Sequence, residues 1–379
     1  MKRFALRSTV VASLALTIAL ATAGAASAAV FGTLPLNIST DASGNAGNGP
    51  SGHPAVSGDN RAAKYVAFDS DASNLVAADA NAATDVFVWT RPAGRAGVRL
   101  NRLNVGTLRR VSVSSGGAEA NGASSRPALD GSMKSRPHCV VFQSLATNLA
   151  PTDATPDSDI YVRDLNRGTT RVLTAALPED SGNAAVDGKC KTVIFEAGGK
   201  IYSVSTRGGR PRSLGAGSQP RFSRDGQSMV WVKRGKVVFR HKRRNRTLTT
   251  GNNPVVSDEG GAGAGWAVAY NAGANVKLAL VRKNGRTKVR TVLKRSRIGG
   301  ISVFAAQRGI LVYAKRKSVF YLNRNSGNSD DLAHSNTAIT EMAISARSNI
   351  VAFASPGGVE FVDAPGNSTK SIYVKYLPQ

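Results

Sequence analysis

The chain has 379 residues, which is enough for one large domain or two ordinary ones. It contains 39 Gly and 15 Pro but only 6% aromatic residues, a composition typical of many strands joined by tight turns rather than of a helix bundle. The formal net charge is +26, which favours contact with anionic partners over cationic or neutral ones.

The first 28 residues have the pattern of a signal peptide. Lys2, Arg3 and Arg7 form a positive segment, residues 9–21 are mostly apolar, and residues 26–28 read Ala-Ser-Ala, a small-residue cleavage site. An N-terminal membrane anchor is the alternative. No later stretch of about 18 apolar residues follows, so we expect no transmembrane segment in the mature chain. We predict an exported protein that is extracellular, periplasmic or associated with the cell wall.

Two long segments of the chain repeat each other without a gap. Residues 74–88 read NLVAADANAATDVFV, and residues 148–162 read NLAPTDATPDSDIYV. The similarity extends in both directions, and each unit reads as strand, turn, strand, loop, strand, turn, strand, with apolar residues at period two. The repetition therefore predicts a recurring four-stranded unit.

Five further units follow with shorter loops, and first strands begin near residues 54, 127, 184, 219, 254, 301 and 338. A four-stranded antiparallel unit cannot cover its own two faces, whereas a closed ring of such units protects both faces and edges. We predict an all-β chain with a single β-propeller of about seven four-stranded blades at residues 29–379; six blades is the alternative. Residues 33–45 and residues 371–377 compete for the strand that closes the ring, and the pattern does not decide between them.

Several strand motifs carry a resemblance to a known family. The segments YVAFDS, SRDGQSMVWV, IVAFAS, DVFV and DIYVRD resemble the WD-like repeats of bacterial TolB-type propellers, over roughly residues 50–365. The resemblance implies an extracytoplasmic binding scaffold. Two departures from the family are the missing N-terminal α/β domain of TolB and the missing peptidase domain of propeller-capped peptidases.

The chain has two cysteines, Cys139 and Cys190, in equivalent regions of adjacent repeat units. An exported chain meets oxidising conditions, so a disulfide between these blades is plausible. Two free buried thiols are the alternative.

Two acidic loops are candidate calcium sites, because carboxylates and a carboxamide at this density can supply the oxygen ligands that Ca²⁺ requires. The same residue types also favour turns by bonding their own backbone. No other cofactor is expected. The candidate ligands are Asp79, Asn81 and Asp85 in the first loop and Asp153, Asp157 and Asp159 in the second.

The positive charge is concentrated in one part of the chain. Residues 200–325, here called the basic sector, contain 28 Lys and Arg but 3 Asp and Glu, whereas residues 29–199 contain 16 of each. Consecutive blades are neighbours on a ring, so this asymmetry predicts a positive surface that binds an anionic polymer with strong salt dependence. The candidate binding residues are Lys233, Arg234, Lys236, Arg240, Lys242, Arg243, Arg244, Arg246, Arg282, Lys283, Arg286, Lys315, Arg316 and Lys317.

We predict a monomeric, non-catalytic binding scaffold that contacts an anionic cell-envelope polymer through the basic sector. Nucleic acid is disfavoured because no aromatic-rich basic motif for stacking bases is present. The first alternative is a protein–protein adaptor that uses the long loops at residues 70–85 and 144–159. The second is a hydrolase or lyase with a site in the central channel; the four histidines are scattered and no nucleophile-elbow, zinc-protease or phosphate-loop motif occurs.

Overall fold

The computed structural model describes residues 35–58, 65–91, 106–131, 136–153, 156–223, 226–257, 265–294, 300–305, 310–323, 329–335, 339, 341–344, 350–356 and 369–376. The predicted signal peptide at residues 1–28 lies outside these described residues. Within them, every regular element is a β-strand, and no helix is long and apolar enough to cross a membrane.

The strands form seven antiparallel four-stranded sheets, which confirms the predicted propeller of seven blades. Blade I contains β2 (Ser51–Val56), β3 (Tyr65–Ser70), β4 (Asp85–Thr90) and β5 (Thr107–Arg110). Blade II contains β6 (Ser124–Leu129), β7 (Cys139–Ser144), β8 (Asp159–Asp164) and β9 (Thr170–Val172). Blade III contains β10 (Ser181–Val186), β11 (Thr192–Ala197), β12 (Lys200–Ser205) and β13 (Arg212–Ala216). Blades IV and V contain β14 (Ser218–Phe222), β15 (Ser228–Lys233), β16 (Lys236–His241) and β17 (Arg244–Thr250); and β18 (Asn252–Val256), β19 (Trp266–Ala272), β20 (Asn275–Val281) and β21 (Thr287–Leu293).

Blade VI contains β22 (Gly300–Ala305), β23 (Ile310–Lys315), β24 (Ser318–Asn323) and β25 (Ser329–His334). Blade VII takes strands from both ends of the chain: β26 (Glu341–Ile344), β27 (Ile350–Pro356) and β28 (Lys370–Tyr376) are followed by β1 (Leu36–Asn37) from the N-terminus. Leu36 pairs with Val374 and Asn37 with Tyr373. The N-terminal segment therefore supplies the fourth strand that closes the ring, and the C-terminal segment supplies the third.

The apolar core lies between neighbouring blades, where the strands of adjacent sheets pack face to face. The central residues of the second and third strands are almost fully buried where the structure describes their side chains, as expected for sheets covered on both sides. A stacked aromatic pair recurs at the same cross-strand position in five blades, with ring centroids 5.4 to 5.8 Å apart: Phe68–Phe87, Phe142–Tyr161, Phe195–Tyr202, Tyr313–Phe320 and Phe353–Tyr373. These pairs give five of the seven repeats the same internal packing.

A polar contact also recurs between successive blades at the first strands. The first strand of blades I to V carries a bulge, and one residue within the bulge adopts a left-handed backbone that turns its N–H toward the preceding blade. A side-chain oxygen accepts each N–H: Glu341 from His53 (2.6 Å), Asp69 from Arg126 (2.8 Å), Gln143 from Asn183 (3.2 Å), Glu196 from Gln219 (2.6 Å) and Gln219 from Asn253 (2.7 Å). The bond from His53 joins blade VII to blade I and completes the ring.

Candidate functional site

The hairpin between β16 and β17 carries the densest group of predicted anion-binding residues. Lys242 occupies a left-handed position (φ 55°) at the tip, beside Arg243. Arg240 donates from Nε to the carbonyl of Lys242 (3.3 Å) and from Nη1 to Asn245 Oδ1 (3.2 Å), so its guanidinium holds the hairpin in shape. Desolvation lowers the pKa of Arg240, and the charges of Arg212 and Arg243 act in the same direction.

The corresponding turn of blade V lies next to this hairpin. The backbone N–H of Arg282 donates to the carbonyl of Arg286 (2.8 Å), and the backbone N–H of Gly285 donates to the carbonyl of Arg282 (2.8 Å). Gly285 has φ +87°, and a Cβ there would collide with the guanidinium of Arg246 from β17. The bare backbone of Gly285 thus leaves room for the Arg246 guanidinium beside the turn of blade V.

Between the two turns lies a cleft of about 1110 Å³, here called the IV–V cleft. Its floor is formed by Phe239, Trp266 and Val281, and the ring of His241 lies 4.2 Å from that of Trp266. No carboxylate is among the described residues that line it. Its walls carry six exposed cationic side chains: Lys242, Arg243, Arg244, Arg246, Arg282 and Lys283.

The structure separates the predicted basic residues into two groups on opposite faces of the ring. The β15–β16 turn carries Lys233, Arg234 and Lys236 and lies at the other end of β16 from Lys242. The two ends of a strand of this length are roughly 17 Å apart. Arg316 and Lys317 form the equivalent β23–β24 turn, which Lys315 precedes at the end of β23. The sequence pattern predicts one continuous positive sector. Among the described residues, the structure instead brings the cationic side chains of blades IV and V together around the IV–V cleft.

The candidate calcium ligands of blade I surround an arginine. Arg110 Nη1 lies 3.3 Å from Asp79 Oδ1 and 3.0 Å from Asp85 Oδ2, and it also contacts the Glu119 carboxylate. Asn81 donates from Nδ2 to Asp85 Oδ2 (3.3 Å). Calcium binding by Asp79, Asn81 and Asp85 stays a prediction, but a Ca²⁺ ion would have to displace the Arg110 guanidinium.

The matching loop of blade II lacks this arginine. In blade I, Arg110 is the cross-strand partner of Phe87. At the equivalent position of blade II, Val172 is the cross-strand partner of Tyr161. Thr174 donates its hydroxyl to Asp159, as Ser112 donates to Asp85 in blade I.

The carboxylates of this blade II loop therefore lie close to one another without the counterpart of Arg110. Tyr161 donates its hydroxyl to Asp153, which also lies beside Asp159. Burial, followed by the charges of Asp153 and Asp157, raises the pKa of Asp159 to about 6. Calcium binding by Asp153, Asp157 and Asp159 also stays a prediction.

Cys139 and Cys190 are joined in the structure by a disulfide with a Cα–Cα distance of 6.1 Å. Cys139 begins β7 of blade II, and Cys190 lies in the turn between β10 and β11 of blade III. Asp130 accepts the N–H of Cys139 (2.9 Å) and that of His138 (2.7 Å), and it contacts His138 Nδ1 (3.0 Å). Burial raises the pKa of Asp130 to about 6, although these hydrogen bonds act in the opposite direction.

Comparison with known proteins does not place the chain in a family. No protein-family model and no curated protein matches it. Among solved structures, the crystal structure of the tricorn protease matches 82% of this chain at 14% sequence identity, with a TM-score of 0.30. The match covers 29% of the tricorn protease chain, so this chain spans less than a third of that protein's length.

Proposed function

We propose that the protein is an exported, non-catalytic binding scaffold that contacts an anionic cell-envelope polymer through the basic sector. The observation that carries the proposal is the IV–V cleft, where six exposed cations from two hairpins line one cavity that no described carboxylate lines. Cations distributed only for solubility would not need to converge on a cavity. Neutralising several of them with one polymer releases condensed counterions, which gives strong and salt-dependent binding.

Two further features support a scaffold. A seven-bladed propeller is a rigid ring that presents loops on two faces, an arrangement suited to binding large ligands. The strand motifs also resemble those of TolB-type propellers, a resemblance that implies an extracytoplasmic location. We place the protein outside the cytoplasm on that resemblance and on the signal-peptide pattern of residues 1–28.

The test is retention of the mature chain on an immobilised anionic polymer, dextran sulfate, over a salt gradient. The triple variant Lys242→Glu, Arg243→Glu, Arg282→Glu should elute at much lower salt than the wild type. The matched control reverses three exposed arginines in the charge-balanced half, Arg109, Arg167 and Arg171, and changes the net charge equally. The control should elute near the wild type; equal retention of both variants would contradict the proposal.

The adaptor alternative has a different signature. The long loops of blades I and II contain one large apolar residue that is well exposed, Leu145 at 49%, which by itself is ordinary for a protein surface. An adaptor would retain an envelope protein at high salt, where charge contacts are screened. Capture of the same protein at low and high salt, unaffected by the cleft variant, would favour the adaptor over the polymer scaffold.

A further inference from the structure

We infer that the IV–V cleft binds a linear polyphosphate chain, a ligand that carries one negative charge on every phosphorus atom. The inference rests on the proposed function and names the class of anion that the site selects. It is carried by charge density, by the geometry of the donors and by the character of the cleft floor.

Charge density separates the available anionic polymers. The six cations of the cleft share about 1110 Å³. A carboxylated polysaccharide carries at most about one charge per sugar, and a phosphodiester polymer carries one per nucleotide or polyol unit, so both carry fewer charges per length of chain than polyphosphate. Adjacent phosphates of a polyphosphate chain are separated by a single bridging oxygen, so a short segment can meet all six.

The donors suit phosphate oxygens. Four of the six cations are arginines, whose planar guanidinium presents several N–H groups in a fixed fork that matches phosphate. The guanidinium of Arg246 lies close to the backbone of Gly285, so a cation from blade IV reaches the turn of blade V. Lys242 and Lys283 supply compact charges at the two turns, where they can follow a chain of variable conformation.

The cleft floor argues against a ligand that is recognised by stacking. Trp266 and Phe239 are each only 3% exposed, so neither ring offers a face on which a nucleobase could stack. The floor is closed and apolar, and the polar contacts come from the walls. A flexible chain without rings meets these conditions better than a nucleic acid does.

The experiment uses the mature chain and three soluble anionic polymers of matched total charge: linear polyphosphate, polyglutamate and single-stranded oligothymidylate. Affinity is measured by titration calorimetry at several salt concentrations. Polyphosphate should bind at least about tenfold more tightly than either of the others. The slope of log affinity against log salt should be about −0.7 to −0.9 for each phosphate that the cleft neutralises, by analogy with nucleic acids. Equal affinity for the three polymers would overturn the inference.

Two variants with equal charge change locate the site. The cleft variant Lys242→Glu, Arg243→Glu, Arg282→Glu should lose at least about tenfold in polyphosphate affinity and show a shallower salt slope. The variant Arg109→Glu, Arg167→Glu, Arg171→Glu alters the charge-balanced part of the ring and should stay within about twofold of the wild type after the long-range electrostatic contribution is screened by salt. Equal losses of affinity in the two variants would contradict a cleft site.

The outcomes distinguish the inference from the proposed function. Binding of all three polymers through the cleft residues would retain the scaffold and remove the selectivity for polyphosphate. Binding of none would remove both. Circular dichroism and melting temperature of each variant check that the fold is retained, and the corresponding Gln variants, which remove charge without reversing it, should reproduce the direction of each loss of affinity.

Discussion

At the scale of single residues, one substitution between two repeats changes the chemistry of a loop. Arg110 in blade I and Val172 in blade II occupy equivalent positions, and each faces a loop with two or more carboxylates. Arg110 forms ion pairs with Asp79, Asp85 and Glu119 within the fold. Where blade I places an arginine, blade II has a valine, and burial followed by the mutual repulsion of the loop carboxylates raises the pKa of Asp159 to about 6.

Replacing Arg110 should therefore be strongly destabilising. In Arg110→Ala, the buried carboxylate of Asp85 loses its cation, and we expect a loss of about 3–5 kcal/mol in the free energy of unfolding, as for other broken buried ion pairs. Ca²⁺ should recover part of this loss in the variant, because the oxygens of Asp79, Asp85 and Glu119 lie within 4.8 Å of one another. Urea unfolding with and without Ca²⁺ measures both effects.

The control is Arg109→Ala, an exposed neighbour on the same strand, which should change stability by less than about 0.5 kcal/mol. An Arg110→Ala protein as stable as the wild type would show that the arginine is not needed to balance the carboxylates. A Ca²⁺ response equal in the wild type and the variant would show that the ion binds elsewhere.

Asp159 should make the protein less stable as pH rises. Its folded-state pKa of about 6 is above its ordinary value of 3.8, so the folded chain holds the proton more tightly than the unfolded chain. This contribution is complete below pH 4 and is lost as pH rises through 6. Linkage gives a loss of about 1 kcal/mol between pH 5 and pH 7.

The measurement is urea unfolding of the wild type and Asp159→Asn at pH 5, 6 and 7. The difference in unfolding free energy between the two proteins isolates Asp159 from other groups such as Asp130, whose pKa burial also raises to about 6. Asparagine can still accept a hydrogen bond from the Thr174 hydroxyl. As pH rises, the free energy of unfolding of the variant should therefore increase relative to that of the wild type. A difference that does not vary with pH would contradict the assignment.

At the scale of elements, the repeated segment that marks the sequence is mainly architectural. Asn74 accepts the N–H of Asn48 (2.9 Å) and donates to the carbonyl of Ala46 (3.1 Å). Its counterpart Asn148 accepts the N–H of Asn121 (3.0 Å) and donates to the carbonyl of Glu119 (2.8 Å). Each loop is thus clasped to the segment that enters its blade, so the repeat preserves a contact between loops.

The strand pattern predicts the blades because alternation and turn residues are local signals. Arg110 was not singled out, since its partners at residues 79 and 119 come together only when blade I closes. The IV–V cleft was not predicted as a cavity, because it depends on Arg246 reaching Gly285 across a blade boundary. The division of the basic residues between two faces could have been predicted, since successive turns of an antiparallel sheet lie at opposite ends of its strands.

The disulfide is a contact between elements of adjacent blades. Cys139 and Cys190 are 51 residues apart, and closing a loop of that size contributes about 4 kcal/mol in the chain-entropy model. The double variant Cys139→Ala, Cys190→Ala should therefore lower the free energy of unfolding by up to about that amount. Intact mass after alkylation without reductant reports the bond directly; two alkylated thiols in the mature protein would contradict it.

At the scale of the whole molecule, ring closure depends on a short N-terminal strand. Besides the pairing of β1 with β28, Ile38 donates its N–H to the carbonyl of Ile372 (2.9 Å), and Ile372 donates to the hydroxyl of Ser39 (3.0 Å). The Ile38 side chain is 1% exposed and packs with Ala352, Val374 and apolar residues of blade I. The segment thus seals blade VII and connects it to blade I.

A chain that begins at residue 41 should be less stable than one that begins at residue 35, because only the shorter chain lacks β1 and Ile38. The loss of one buried isoleucine and several hydrogen bonds should lower the free energy of unfolding by at least about 3 kcal/mol. It also exposes the edge of β28, which should promote association between chains. A synthetic peptide of residues 33–45 should restore the melting temperature, and the same peptide with Ile38→Asp should not. Equal melting temperatures for the two chains would mean that the ring closes without the N-terminal strand; failure of the peptide to rescue would show that covalent attachment, rather than the strand pairing alone, holds blade VII in place.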